Sequence, residues 1–444
     1  MHPTTQKWGE RPTLVVSTLK ADVVDGPDAG RSSWTSDERL TVGTAKGNDL
    51  VLADETVSRF HALVRWTADG FLVVDQRSTN GTYVGGARLG EATVAPGTLV
   101  TLGRTRVRLA HGLDKQVEIH DEPRLGAILG GSIAMRRVMA WVQRAAASDA
   151  SVLLSGASGT GKDVVARTIH QLGARGKAPF VTVDCGALAP ALIASELFGH
   201  ERGAFTGADR QHTGALEQAH GGTLFLDEIG ELPRELQPSL LGALERRTFR
   251  RVGGKSDVSV DVRVIAASNR NLREDINGGA FRLDLYYRLA VLMLELPSLC
   301  ERREDIPLLL AHFLQELGHR GALDELLPDD VMRAVTNHDW PGNVRELKNF
   351  AEATLALGHL ARPPSGPSSA TIPAAVAPDP RAIYVDRLFD VPFKEARQKA
   401  LLAFEERYLA HLLGKTNGNV SKAARDAGVD RSYLFSLLRR SGLR

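Results

Sequence analysis

The stretch Ser151-Val-Leu-Leu-Ser-Gly-Ala-Ser-Gly-Thr-Gly-Lys162 decides the fold. Its first five residues read as a buried strand, and the following Asp163-Val-Val-Ala-Arg-Thr-Ile-His170 reads as a helix. Strand, glycine-rich loop and helix in that order form a P-loop, in which backbone N–H groups and the helix N-terminus surround phosphate oxygens while Lys162 neutralises charge. The expected ATP-binding residues are therefore Gly156, Ala157, Ser158, Gly159, Thr160, Gly161, Lys162 and Asp163. The general motif has Ser or Thr after the lysine; Asp163 stands there instead and leaves a Mg²⁺ ion more dependent on water and on a distant acid. Gly222-Thr-Leu-Phe-Leu226, about 65 residues downstream, reads as a second strand ending in Asp227-Glu228. Asp227 is placed to hold Mg²⁺, directly or through water, and Glu228 to polarise the attacking water. Two acids at a strand end also suit a solvated sheet edge, but the P-loop upstream selects the ATPase reading.

Between these motifs lies Glu196-Leu-Phe-Gly-His-Glu-Arg-Gly-Ala-Phe-Thr-Gly-Ala208. Two glycines and three small residues around one Phe cannot pack a core and make a poor helix interior. They form either a surface hairpin with a buried Phe or a loop that presents one aromatic. In this position the segment resembles the GAFTGA loop of the bacterial enhancer-binding proteins, the AAA+ activators of sigma-54 RNA polymerase. The resemblance implies a central α/β AAA+ P-loop ATPase with a small helical subdomain over residues 124–360. It also implies contact of Gly203, Ala204, Phe205, Thr206, Gly207 and Ala208 with sigma-54. An acidic residue at position 163 is common in that family.

Further matches follow in family order. Val262-Arg-Val-Ile-Ala-Ala-Ser-Asn269 resembles sensor I, with Asn269 reading the γ-phosphate. Phe281-Arg282-Leu-Asp-Leu-Tyr-Tyr-Arg288-Leu289 resembles the segment whose two arginines reach into the neighbouring subunit's nucleotide; its alternative is a pair of surface or salt-bridged arginines. The resemblance makes Arg282 and Arg288 catalytic together with Glu228, because a permanently charged planar fork neutralises phosphoryl charge in the transition state. Arg345, in Trp340-Pro-Gly-Asn-Val-Arg-Glu-Leu-Lys-Asn349, fits sensor II, and Arg251-Val-Gly-Gly-Lys-Ser256 resembles a second loop that moves with the first. Two positions depart from the family: Ala157 replaces a Glu, and Asp184 replaces the Asn that restrains the catalytic Glu. An Asp would repel Glu228 unless one carboxylate is protonated or a cation intervenes, so the restraint is expected to be altered.

Residues 13–112 carry short alternating segments, Arg39–Val42, Leu50–Leu52, His61–Trp66, Phe71–Asp75 and Leu99–Leu102, separated by turn signals such as Asn80-Gly81 and Pro96-Gly97. Such spacing indicates an all-β sandwich. Thr56-Val-Ser-Arg-Phe-His61 and Ser78-Thr-Asn-Gly-Thr82 resemble the signature loops of the forkhead-associated (FHA) domain, which recognises phosphothreonine. Ser58, Arg59, Thr79 and Asn80 are then the phosphopeptide residues, and His61 a brace within the loop. Thr44 stands where the family usually has an Arg, a loss of charge for which Lys46 is the available substitute. The implied partner is a phosphothreonine protein or a Ser/Thr kinase; the alternative is an unmodified protein or the adjoining ATPase. Residues 113–123 are polar, without clear periodicity, and are expected to be a linker.

Residues 361–392 are rich in Pro, Ser and Ala and read as a tether. From 393 to 444 an amphipathic helix precedes Asn419–Ala427, the Gly428 turn and the basic Arg431–Arg440, an all-α helix-turn-helix that resembles the Fis-like domain ending sigma-54 activators. Arg431, Ser432 and Tyr433 are its expected major-groove residues, with Lys422, Arg439 and Arg440 on phosphates. The alternative is a helical oligomerisation module. Residues 394–444 hold 11 Lys/Arg against 5 Asp/Glu within a chain of net charge +2, so positive charge concentrates where DNA is expected.

At 444 residues the chain is expected to hold about three domains. Cys185 and Cys300 are the only cysteines and have no metal-ligand spacing, which disfavours a disulfide framework or structural zinc and fits a reducing cytoplasm. No segment reads as a signal peptide or membrane span. The expected function is ATP-driven remodelling of sigma-54 polymerase by an activator bound to upstream enhancer DNA. Its active form is a homo-oligomeric ring, usually a hexamer in the family, controlled through the sandwich. The rivals are an AAA+ ATPase remodelling another protein, and a DNA-binding scaffold or repressor with a vestigial ATPase.

Overall fold

Alternation builds the N-terminal part. Its strands are β1 (Thr13–Asp25), β2 (Ser32–Trp34), β3 (Arg39–Gly43), β4 (Leu50–Val51), β5 (Ala62–Thr67), β6 (Gly70–Asp75), β7 (Thr82–Val84), β8 (Ala87–Leu89), β9 (Glu91–Val94), β10 (Leu99–Leu102) and β11 (Thr105–Glu118). They form two sheets, β2-β1-β11-β10-β7-β8 and β4-β3-β5-β6-β9. Every second residue points inward, so Leu40, Val42, Val64, Phe71, Val73, Val100, Leu102, Val107 and Leu109 make one shared core. The computed structural model describes residues 12–357 apart from 36–38, 68, 188 and 322–325. The expected tether 361–392 and helix-turn-helix 393–444, with Lys422, Arg431, Ser432, Tyr433, Arg439 and Arg440, lie outside the described residues.

One expectation needs correction. Residues 113–118, read as part of a linker over 113–123, continue β11, which pairs with β1 from Thr13↔Glu118 to Asp25↔Arg106. The outer part of this two-stranded ribbon has few buried positions: Leu113 is exposed, as are Asp114, Lys115 and Gln116. Backbone pairing holds the ribbon, and polar composition conceals it.

After β12 (Arg124–Leu125) and β13 (Ile128–Leu129), helix α1 (Ile133–Ala146) begins at Ser132, whose hydroxyl accepts from the Met135 N–H at 3.2 Å. There follow β14 (Val152–Ser155), α2 (Lys162–Leu172), β15 (Phe180–Asp184), α3 (Pro190–Phe198), α4 (Ala215–Gln218), β16 (Thr223–Asp227), α5 (Gln237–Arg246), β17 (Thr248–Arg250) and β18 (Asp257–Ser259). β19 (Arg263–Ser268), α6 (Leu272–Asn277), α7 (Leu283–Leu289) and β20 (Leu292–Glu295) complete the domain. Five strands make an all-parallel sheet in the order β15-β16-β19-β14-β20. Leu153, Leu224, Leu226, Val264 and Ala266 belong to one apolar cluster, whereas Val152, Leu154, Phe225, Ile265 and Ala267 belong to another. Both sheet faces are therefore covered, which is why these strands read as continuous apolar runs. A helical lid of α8 (Ile306–Glu316), α9 (Asp329–Asn337) and α10 (Asn343–Leu357) packs around Trp340, whose indole N–H donates to the Val335 carbonyl at 2.8 Å. Among the described residues no helix is long and apolar enough to cross a membrane.

The sandwich is seated on the ATPase. Ala45 and Phe60 join the apolar cluster that contains Leu285, Tyr286 and Leu289, and Arg39 and Arg65 both pair with Glu295 at the end of β20. A cavity of about 860 Å³ opens along this seam, lined by Trp66, Trp141, Arg144 and Glu295 among others.

Within the sandwich, Asp54 is 1% exposed and accepts from the Thr56 N–H and hydroxyl, the Thr105 hydroxyl and the Arg104 N–H. Burial alone would raise its pKa, but these donors hold it down to about 2. A carboxyl depressed in the folded state stabilises above its unfolded pKa and loses that contribution as pH falls toward the folded value. We expect Asp54→Ala to cost about 2–4 kcal/mol near pH 7, by stranding the donors, and less near pH 3. Thermal unfolding of the full chain at the two pH values checks this; an equal loss at both would rule out the charge-linked part.

Candidate functional site

Parallel strands bring their carboxyl ends to one edge, where Ser155 lies beside Ser268 and Glu295, and Asp184 beside Asp227. The Gly156–Gly161 loop leaves β14 here with Gly156, Gly159 and Gly161 all at positive φ, and Gly161 caps α2. The buried Lys162 ammonium donates to the Gly156 and Ala157 carbonyls at 2.9 and 3.1 Å. The Thr160 hydroxyl donates to the Ala157 carbonyl at 2.9 Å. Burial pushes the Lys162 pKa down, while Glu228 and Asp227 oppose that shift.

Burial raises the Asp227 pKa, and Asp184 and Asp163 add to the effect; the Glu228 N–H and Lys162 act against it. Glu228 sits in the left-handed region at φ 49°, and its Oε2 accepts from the Asn269 N–H at 3.2 Å. Asp184 Oδ1 accepts from the Gly186 N–H at 2.9 Å, and its carboxylate bears on Asp227 across the paired strands. This hard-oxygen donor set suits Mg²⁺, which takes one or two carboxylates and completes its shell with phosphates and water. Among the described residues no group of three or more His, Cys, Asp or Glu forms a self-sufficient metal cage.

The lid closes over the loop. Arg345 donates to the Ser158 hydroxyl at 3.1 Å, and the Val344 N–H donates to the Gly159 carbonyl at 3.0 Å. Asn343, buried at φ 53°, donates from its side chain to the Ser158 carbonyl at 3.0 Å and accepts from the Leu299 N–H at 2.7 Å. Arg302, also buried, donates to the Thr160 carbonyl at 3.0 Å. Sequence reasoning missed both residues as loop supports; the Gly342-Asn343 pair, a turn signal that tolerates positive φ, was the available clue for the first.

Arg282 and Arg288 are exposed at the two ends of α7. Arg282 forms a two-pronged pair with Asp284, and Arg288 donates to the Leu244 carbonyl at 2.7 Å. The finger is a tight loop: the Gly203 N–H donates to the Ala208 carbonyl at 2.8 Å, and Gly203 and Gly207 both have positive φ. Phe205 is 40% exposed and rests edge-on against His200, ring centroids 4.9 Å apart, while Ala208 is buried. The presenting-loop alternative thus describes Phe205 better than the buried one. Arg251 ties the two loops together, pairing with Glu201 at 2.8 Å and Glu217 at 2.9 Å, and a side chain on Gly253 would press against Ala204.

In the sandwich the Ser58 hydroxyl accepts from the Thr79 N–H at 3.0 Å, Asn80 donates to the Thr56 carbonyl at 2.7 Å, and Arg59 is exposed beside them. The four residues expected to take a phosphopeptide are thereby brought together. His61 is fully buried; its Nδ1 accepts from the Ser58 N–H at 3.0 Å, which leaves Nε2–H to donate to the Gly81 carbonyl at 3.1 Å. It braces the loop from within, as expected. Gly43 runs so close to Arg59 that a Cβ would lie 2.2 Å from its carbonyl oxygen.

Residues 128–295 match the family model of the sigma-54 interaction domain, 300–361 the AAA+ ATPase lid domain and 40–103 the FHA domain. The transcriptional regulatory protein ZraR of Escherichia coli K12 is 42% identical over 335 residues, 74% of this chain and 72% of its own. GlrR of the same strain is 42% identical over 334 residues, covering 74% and 71%. The crystal structure of NtrX from Brucella abortus in complex with ATP aligns at 35% identity and TM-score 0.52, covering 72% of this chain and 70% of NtrX. The complex of NtrX with ADP aligns at TM-score 0.53.

Within the Gly156–Gly161 loop, Gly159 has the closest neighbours. A Cβ there would lie 2.3 Å from the Gly342 carbonyl oxygen and 3.2 Å from Arg345 Cβ, on a backbone of φ 76°. Gly159→Ala should weaken ATP binding about tenfold or more through strain and lid displacement, read by titration calorimetry. Unchanged affinity would contradict this account of the lid.

Proposed function

The chain belongs to the family of sigma-54-interacting AAA+ ATPases and is a sigma-54-dependent transcriptional activator; we propose that it works from upstream DNA, as a ring that converts closed promoter complexes to open ones. The observation that carries this reading is the glycine-hinged finger with Phe205 at its tip, coupled through Arg251 to the core that holds the nucleotide loop. In this reading Lys162 takes ATP phosphates together with the N–H groups of residues 156–161. Asp227 holds a Mg²⁺ ion, which supplies charge neutralisation and orients the phosphates.

Glu228 polarises the attacking water, and Asn269 reports the γ-phosphate to it. Arg345 touches the nucleotide from the lid. Arg282 and Arg288 complete the site of the neighbouring subunit, most naturally in a hexamer, so hydrolysis requires assembly. Residues 393–444 supply DNA binding. Ser58, Arg59, Thr79 and Asn80 take a phosphothreonine segment, with Lys46 supplying the charge that Thr44 lacks. An ATPase acting on another protein has no need of this finger, and a scaffold has no need of both Lys162 and Glu228.

In transcription assays from a sigma-54 promoter, Phe205→Ala should abolish open-complex formation while hydrolysis stays within about twofold of the parent. Glu228→Gln should lower hydrolysis by about 10²–10⁴-fold and retain ATP binding. A Phe205→Ala protein that opens the promoter as well as the parent would exclude the finger from polymerase remodelling.

A further inference from the structure

The seam between sandwich and ATPase converges on α6. Gln76, 3% exposed, follows β6 and holds this six-residue helix at both ends. Its side-chain oxygen accepts from Asn271, the N-cap of α6, at 2.8 Å, and its backbone carbonyl accepts from the side chain of Asn277, the last residue of α6, at 2.8 Å. Asn277 also donates to the Phe60 carbonyl and accepts from the Phe60 N–H at 3.4 Å. The Phe60 ring, 1% exposed, meets Tyr286 edge-on with centroids 5.5 Å apart and lies under the Arg273 guanidinium at 5.2 Å. Arg77 pairs with Glu274 at 2.8 Å, and the Gly47 N–H donates to the Tyr287 hydroxyl at 3.3 Å.

Only Asn269, Arg270 and Asn271 separate the end of β19 from α6, so a shift at the N-terminus of α6 is passed to Asn269 through a short connector. The Asn269 N–H is the group that holds the Glu228 carboxylate. Misplacing a reacting group by an ångström can cost about a hundredfold in rate.

We propose that Gln76 and Phe60 of the sandwich are positioning residues for ATP hydrolysis: they clamp α6 and thereby set Asn269 against Glu228. The inference rests on the roles given above to Glu228 and Asn269. It gives the sandwich an output within its own chain. Ser58 and Arg59 directly precede Phe60, and Thr79 and Asn80 follow Gln76 by three and four residues, so the loops that face a phosphorylated ligand on one side grip α6 on the other.

The test uses the full chain, with steady-state ATP hydrolysis measured at protein concentrations where light scattering gives the parental mass. Gln76→Leu, which removes the acceptor for Asn271, should lower kcat about tenfold and leave KM for ATP within about twofold. Gln76→Glu, which keeps an acceptor there, should restore kcat to within about threefold. Phe60→Leu keeps apolar volume but loses the ring contacts, and should lower kcat about threefold; it decides the matter if Gln76→Leu does not fold. Parental kcat in both Gln76→Leu and Phe60→Leu overturns the proposal, as does a Gln76→Glu protein as impaired as Gln76→Leu or an equal change in KM. Glu228→Gln separates the two levels: parental hydrolysis by that variant would sink the site assignment itself. Its inactivity beside normal Gln76 and Phe60 variants would sink the clamp alone.

Discussion

A buried ammonium and a half-buried carboxylate, each acting on the other's charge, govern this molecule. Lys162 starts α2 beyond β14, and Asp227 ends β16, one strand removed across β19. Burial disfavours the charged form of both, and each partly offsets the other's penalty. Such an arrangement requires strands that end at one edge, a glycine loop that turns without side chains and a lid that closes the far side. The parallel sheet, the positive-φ glycines and the Asn343–Arg345 contacts each meet one of those requirements.

The charge balance at that edge also gives Asp184 a place. Paired with Asp227 in register, it adds negative potential from the adjacent strand, while its own oxygen is engaged by the Gly186 N–H. The carboxylate of Glu228 is held from the other side, by Asn269. The contact that holds this carboxylate thus runs toward β19 and α6, and from there toward the sandwich.

How much could be read in advance depended on sequence distance. The nucleotide loop, the acidic strand end and the finger are local: each is a run of a few residues whose glycines, charges or lone aromatic fix what the backbone can do there. The sandwich strands were legible wherever apolar residues alternate over a core. They were not legible in 113–118, where Leu113 to Gln116 are all exposed and the side chains show no alternation. Asn343 and Arg302 escaped because their partners, Ser158 and Thr160, lie 185 and 142 positions away. The same applies to Phe60, whose neighbours in the chain announce a recognition loop while its own ring belongs to the core of another domain.

That shared ring bears on how such a chain is divided and recombined. A cut through residues 119–123 severs one covalent crossing but leaves the sandwich with a bare phenyl group and the ATPase with an uncovered hydrophobic socket around Tyr286. Each fragment would tend to self-associate, and activity recovered from the excised motor would describe a helix released from its grip. For the same reason an exchanged front domain would need to bring its own plug for that socket, so compatibility with this motor depends on a fitted surface as well as on the covalent connection.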